Sequence, residues 1–261
     1  MPPVDALSGG LLATGLLLLA SLAAGRLGGR LGLPALLLFL VIGMLAGSDG
    51  PGGIAFENYA LTQALGSIAL VFILFNAGLE TRWADTRPVL LAGLSLSTLG
   101  VLVTAAIVGA AAHWAAGLPW TQALLLGAIV APTDASAVFS VLKARALNLK
   151  GRIRPLLEFE SGINDPGAVV LVTGLANLAT HPDASPATLA GSFAVELVIG
   201  ALVGLAVGRL AVPLARNFPL PLEGLHSVLS AAIALTTFGL AATLHGSGFL
   251  AVYLAALVLA N

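Results

Sequence analysis

The chain contains no cysteine among its 261 residues, which excludes disulfides and thiol chemistry. Metal sites of the Cys/His type go with them, because the four histidines (His113, His181, His226, His245) are scattered near the ends of apolar stretches. Charge is also scarce. Asp, Glu, Lys and Arg make up 9% of the residues, against about 25% in a soluble domain. Too little polar side chain remains to cover a water-soluble fold. No basic run suggests a nucleic-acid partner, and the net charge of -1 points to none.

What is present is apolar. Hydrophobic residues reach 58% and the mean hydropathy is +1.03. Repeated apolar stretches of membrane-spanning length predict an all-α, polytopic transmembrane bundle. Nine helices are expected, over 8–25, 32–48, 62–80, 88–112, 120–143, 155–179, 188–212, 225–245 and 247–260. The first is read as a span rather than a cleaved signal peptide, because Asp5 and no Lys or Arg precedes Leu11. The stretches 49–61 and 180–187 (His181, Pro182, Asp183, Ser185, Pro186) read as loops. The ninth segment is short and Asn261 follows it directly, so a C-terminal truncation is expected.

All eleven Lys and Arg fall in or beside odd-numbered connections: Arg26 and Arg30, then Arg82 and Arg87, then Lys143, Arg145, Lys150, Arg152 and Arg154, then Arg209 and Arg216. The positive-inside rule makes those connections cytoplasmic and puts the N-terminus outside.

Five acids lie where lipid depth is expected: Asp134, Glu158, Glu160, Asp165 and Glu196. A carboxylate at that depth faces protein or a wet cavity and is a functional candidate. Asp134 stands in Ala131-Pro132-Thr133-Asp134, about 14 residues into helix five, or roughly 20 Å at 1.5 Å per residue. Pro132 has no amide hydrogen, so the helix should break and free backbone carbonyls there. Broken helices near the midplane coordinate ions in transporters. Asp134 either joins that coordination or only caps the second half-helix. Asp165 lies about 10 residues into helix six, at similar depth, with Ser161 on the same face four residues earlier. Asp165, Ser161, Thr133 and freed carbonyls form an oxygen set suited to an alkali cation. Glu158 suits the first turn of its helix. Glu196 stands alone and reads as an interface or snorkelling residue. Asn76, late in helix three, reads as a helix–helix hydrogen-bonding group.

Thr133-Asp134 in a Pro/Gly-rich helix, followed by Phe159-Glu160-Ser161-Gly162-Ile163-Asn164-Asp165-Pro166, resembles the cation:proton antiporter-1 family, the NhaP and NHE-like branch. The wording of the second motif is most similar to the bacterial potassium/proton, cell-volume-regulation subgroup. Helix two (Leu33-Pro34-Ala35 through Gly47) and Phe249-Leu250-Ala251-Val252-Tyr253-Leu254-Ala255 fit the same family.

The resemblance implies an inverted-repeat antiporter fold and a homodimer in the cell membrane serving pH homeostasis. It gives 1–179 as a first six-helix repeat, 180–224 as a linker helix and 225–261 as the start of a second repeat. It implies no enzyme activity and no cofactor, only transported Na+ or K+ and H+. Asp165 would take a cation or a proton, with Asn164, Ser161, Thr133 and Asp134 around it. Glu160, Pro132 and Asn76 would support the site, Glu160 by pairing with an Arg of the second repeat. Asn76 stands where many members carry an acid, so the ion chosen is left open. Two rival readings place the same acids elsewhere: an intramembrane aspartyl protease using Asp134 and Asp165, and a cation channel.

Overall fold

The computed structural model describes residues 4–31, 33–144, 147, 149–181, 185–217 and 223–261. Arg145, Pro182 and Asp183 of the expected loops lie outside the described residues. Among the described residues the protein is helical, and the only strand-like pairing is an isolated bridge between Gly47 and Ile54. The chain divides into two compact units, Met1–Leu61 with Asp134–Leu149, and Thr62–Thr133 with Lys150–Asn261.

In the first unit, α1 (Val4–Leu31) packs on α2 (Ala35–Ala46), with α8 (Ala135–Ala144) also against α1. The faces of α1 are open: Leu11, Leu18 and Leu22 are 65%, 61% and 72% exposed. A helix apolar all round and bare to its surroundings suits lipid rather than water. After α2 the chain doubles back. The Gly52 amide donates to the Leu45 carbonyl (2.8 Å) and the Ile54 amide to the Ala46 carbonyl (3.0 Å). A Cβ at Gly50 or Gly52 would strike that α2 backbone, which is why this turn is written Gly-Pro-Gly-Gly.

In the second unit, α3 (Tyr59–Glu80, all but its first three residues) is followed by a helical rod over 83–116. The rod comprises α4 (Trp83–Thr86), a 3-10 turn, α5 (Leu90–Ser95), a π turn and α6 (Val101–Ala116). Gly117, left-handed at φ 67°, stops α6, and Pro119 starts α7 (Trp120–Val130). The expected helix over 120–143 is therefore two helices, α7 and α8, separated by non-helical Ala131–Asp134 around Pro132.

Helix α9 (Ile153–Thr180) runs through Pro166 without a break. Helix α10 (Pro186–Asn217) packs on α12 (Gly248–Ala260), and both meet α11 (Glu223–Thr243). The α10–α12 contact rests on Gly200, Gly204 and Gly208, one turn apart on one face. A side chain at Gly204 would run into the Ala251 backbone, so the two helices touch backbone to backbone. Close approach of this kind substitutes for the hydrophobic drive that lipid cannot supply. Around it Val71, Phe75, Ala211, Ile233, Ala234, Val252 and Ala256 form the largest buried cluster.

Among the described residues, five helical stretches are long and apolar enough to cross a membrane: Ser8–Gly28, Tyr59–Glu80, Trp83–Ala116, Ala190–Asn217 and Gly224–Thr243. Three more are apolar but shorter, and α9, at 28 residues, has the length and carries the acids. The chain is a multi-pass membrane protein, as its composition requires.

Candidate functional site

Pro132 supplies no amide hydrogen to the carbonyl four residues back, and the strand of backbone at Ala131–Thr133 leaves the helix. Within the second unit this stretch meets α9. The Thr133 carbonyl, released from helical bonding, accepts a hydrogen bond from Ser161 Oγ at 2.9 Å. The Thr133 hydroxyl donates to Glu160 Oε2 at 2.7 Å. Asn164 Nδ2 donates to Thr133 Oγ1 (2.9 Å) and to Glu160 Oε1 (2.8 Å). Thr133, Glu160 and Asn164 thus close a triangle in which each side chain holds the other two.

The triangle fixes the orientation of the amide. The Thr133 hydroxyl has one hydrogen, and it goes to Glu160, so Thr133 can only accept from Asn164. Asn164 must therefore present its NH2 to both partners, and its Oδ1 points away from them at the other end of the amide group. Among the described residues that oxygen has no hydrogen-bond partner, and it is buried in a side chain with 0% exposure. Glu160 is 6% exposed and accepts two hydrogen bonds, so its burial is compensated by donors in the chain itself.

Asp165 is the residue after Asn164, half-buried, one helical turn beyond Ser161 and on the same face. Pro166 has no N–H to give to the Gly162 carbonyl, so a second acceptor is released beside the acid. Oxygens of three kinds gather along this face of α9: a carboxylate, hydroxyls and backbone carbonyls. Hard monovalent cations use such donors. Among the described residues no group of three His, Asp or Glu side chains forms a metal cluster, so any cation held here depends on hydroxyl and backbone oxygens as well.

The other expected residues fall as follows. Asp134 immediately precedes α8, its carbonyl accepting from the Val138 amide at 3.3 Å, and belongs to the first unit while Thr133 belongs to the second. Asn76 is exposed and donates to Glu80 Oε1 on its own helix (2.8 Å), an intrahelical bond rather than one between helices. Glu158 accepts from Arg154 Nε at 2.8 Å near the start of α9, a local pair with no link to the triangle. Glu196, on α10, makes no bond to this cluster.

Two residues close to the site escaped sequence reasoning. Tyr253, with 0% exposure, places its ring where a side chain at Gly162 would lie, and its hydroxyl sits 3.3 Å from Thr81 Oγ1. Thr81 spends its one hydrogen on the Ala77 carbonyl (2.7 Å), so Tyr253 is the donor. The signal was available: a lone tyrosine in an otherwise apolar helix needs a partner for its hydroxyl, and a glycine inside an acid-bearing motif admits a ring.

The sequence profile described as sodium/hydrogen exchanger, transmembrane, matches residues 16–261. The K(+)/H(+) antiporter NhaP of Alkalimonas amylolytica is 42% identical over 96% of this chain and 44% of its own length. The K(+)/H(+) antiporter NhaP2 of Shewanella sp. strain ANA-3 is 42% identical over 98% of this chain and 45% of its own. The chain spans less than half the length of these curated relatives. The solved structure of the sodium proton antiporter MjNhaP1 from Methanocaldococcus jannaschii superposes with a TM-score of 0.71 at 24% identity, covering 96% of this chain and 63% of that one. That likeness shows the antiporter fold, and none of these matches supports the protease or channel readings.

Proposed function

The chain belongs to the sodium/hydrogen exchanger family, and from that premise we propose that it exchanges a monovalent cation, K+ or Na+, for protons by alternating access, with Asp165 as the shared carrier. One observation carries the reading. The Ser161 hydroxyl bonds the freed Thr133 carbonyl, which ties the helix break to the face of α9 that bears Asp165. A cation bound there would find Asp165, Ser161 and Thr133 oxygens together, with Asn164 held beside them by Glu160 and Thr133. Proton and cation then compete for one carboxylate. Because the same group carries either, neither can cross without displacing the other, and exchange needs no separate coupling device.

Asp134 contributes as a cap or as a more distant ligand, and Pro132 as the origin of the break. Residues 1–179 serve as the first repeat, 180–224 as the linker helix and 225–261 as the start of the second. The working unit is a homodimer in the cell membrane, and a monomeric mass in native detergent extracts would refute it. The basic connections face the cytoplasm and the N-terminus faces out. A cysteine placed at 50–53 should be labelled from outside by an impermeant thiol reagent and one at 147–150 should not. The reverse pattern would overturn the orientation.

The decisive variant is Asp165→Asn, which keeps size and hydrogen bonding but can hold neither a proton nor a formal charge. Dye-reported proton movement in everted vesicles, with sodium, potassium and lithium added in turn, should fall to the background of empty vesicles at every pH. Near-normal exchange by the variant would make Asp165 structural. A flux that grows with the gradient and never saturates would favour a channel.

A further inference from the structure

The second unit contains a cavity of about 550 Å3 that the exchange reading does not use. It lies between the C-terminal half of α9 and the N-terminal third of α10, with Leu102 of α6 on a third side. Val170, Leu171, Leu175, Leu178 and Phe193 supply most of the wall. Glu196 also lines it, about ten residues into α10, roughly 15 Å along the helix. Among the described residues, the Glu196 carboxylate makes no ion pair or hydrogen bond, whereas its backbone carbonyl accepts from the Ser247 amide at 2.8 Å. Asn177 brings an amide side chain to the same wall. Thr173 contributes less, since its hydroxyl is turned back to the Val169 and Val170 carbonyls.

We propose that this cavity is a binding site for a small organic monocation, an ammonium or guanidinium group on an apolar body, with Glu196 as its counter-ion. The wall decides among ligand classes. A carboxylate repels an anion. A neutral apolar guest would cover Glu196 while leaving its charge uncompensated, which is costly. A bare alkali ion wants about six oxygens, and aliphatic walls with one carboxylate and one amide do not offer them. An organic cation satisfies both parts, since its charge meets Glu196 and its body displaces water from the leucines. The volume falls in the range of about 300–1,000 Å3 typical of pockets for small organic ligands.

The test reads binding alone, so it stands or falls independently of exchange through Asp165. Phenethylammonium and its neutral counterpart 2-phenylethanol are measured by equilibrium dialysis against the purified protein in uncharged detergent, with protein-free micelles subtracted. The protein should take up one equivalent of phenethylammonium saturably and hold it about tenfold or more tighter than the alcohol, the scale of a charge-assisted hydrogen bond. Glu196→Gln should bring the amine down to the affinity of the alcohol. Gly174→Phe is the second variant. Gly174 lines the cavity and a Cβ there meets nothing within 4 Å, so the ring can enter the empty space and should abolish binding of both probes. Uptake no greater than micelle partition, or amine binding that survives Glu196→Gln, would overturn the proposal.

Discussion

Glu160 of α9 and Glu196 of α10 both lie at the depth expected of lipid, and the two are treated in opposite ways. Glu160 is 6% exposed and takes hydrogen bonds from Thr133 and Asn164, one on each oxygen. Glu196 lines a cavity and, among the described residues, takes none. The difference comes from what each helix packs against. Helix α9 meets non-helical backbone at Ala131–Thr133, which offers a hydroxyl and a freed carbonyl. Beside Glu196, α10 faces the mostly aliphatic walls of α9 and α6, and among the described residues no side chain there bonds the acid. A satisfied acid positions its neighbours. An unsatisfied acid beside empty space is available to something else.

The contrast can be broken from either side. Glu160→Ala should have the largest effect. It strands the buried Asn164 amide and takes the acceptor away from the Thr133 hydroxyl, at a cost of about 3 kcal/mol. The measurement is thermal unfolding in detergent together with exchange in vesicles, and both should fall. Thr133→Val removes one donor and one acceptor from the same triangle and should cost roughly half as much. Unchanged stability in both variants would mean that the triangle does not hold the site. Glu196→Gln should have the smallest effect, within about 0.5 kcal/mol in stability and with basal exchange unaltered. A large loss of stability in that variant would show that Glu196 has a partner after all and erase the comparison.

The helices and the break were legible because their signals are local. Pro132 cannot donate to the carbonyl four residues earlier wherever the chain folds, so the interruption between α7 and α8 follows from one residue. Ser161 and Asp165 share a face by spacing alone. The role of Glu160 was only partly legible. Its bond to Asn164 is a one-turn contact, but its bond to Thr133 reaches across 27 residues and depends on how α9 lies beside the break. Asn76 offered no means of choosing between a partner on another helix and Glu80 one turn away. The cavity beside Glu196 was invisible in the sequence, since a void is set by the spacing of three helices and no residue encodes it. The repeats at Gly200, Gly204 and Gly208 were present as a pattern four residues apart, and the structure shows what they do.

The central claim is that one carboxylate, Asp165, holds a cation or a proton and never both. Cation affinity measured on the purified protein across a series of pH values tests it most directly. The account predicts that apparent affinity weakens by about tenfold for each pH unit on the acid side, the slope for displacement of one proton. It should level off on the alkaline side, and Asp165→Asn should show no such slope. Cation affinity that stays constant with pH in the unaltered protein would contradict it.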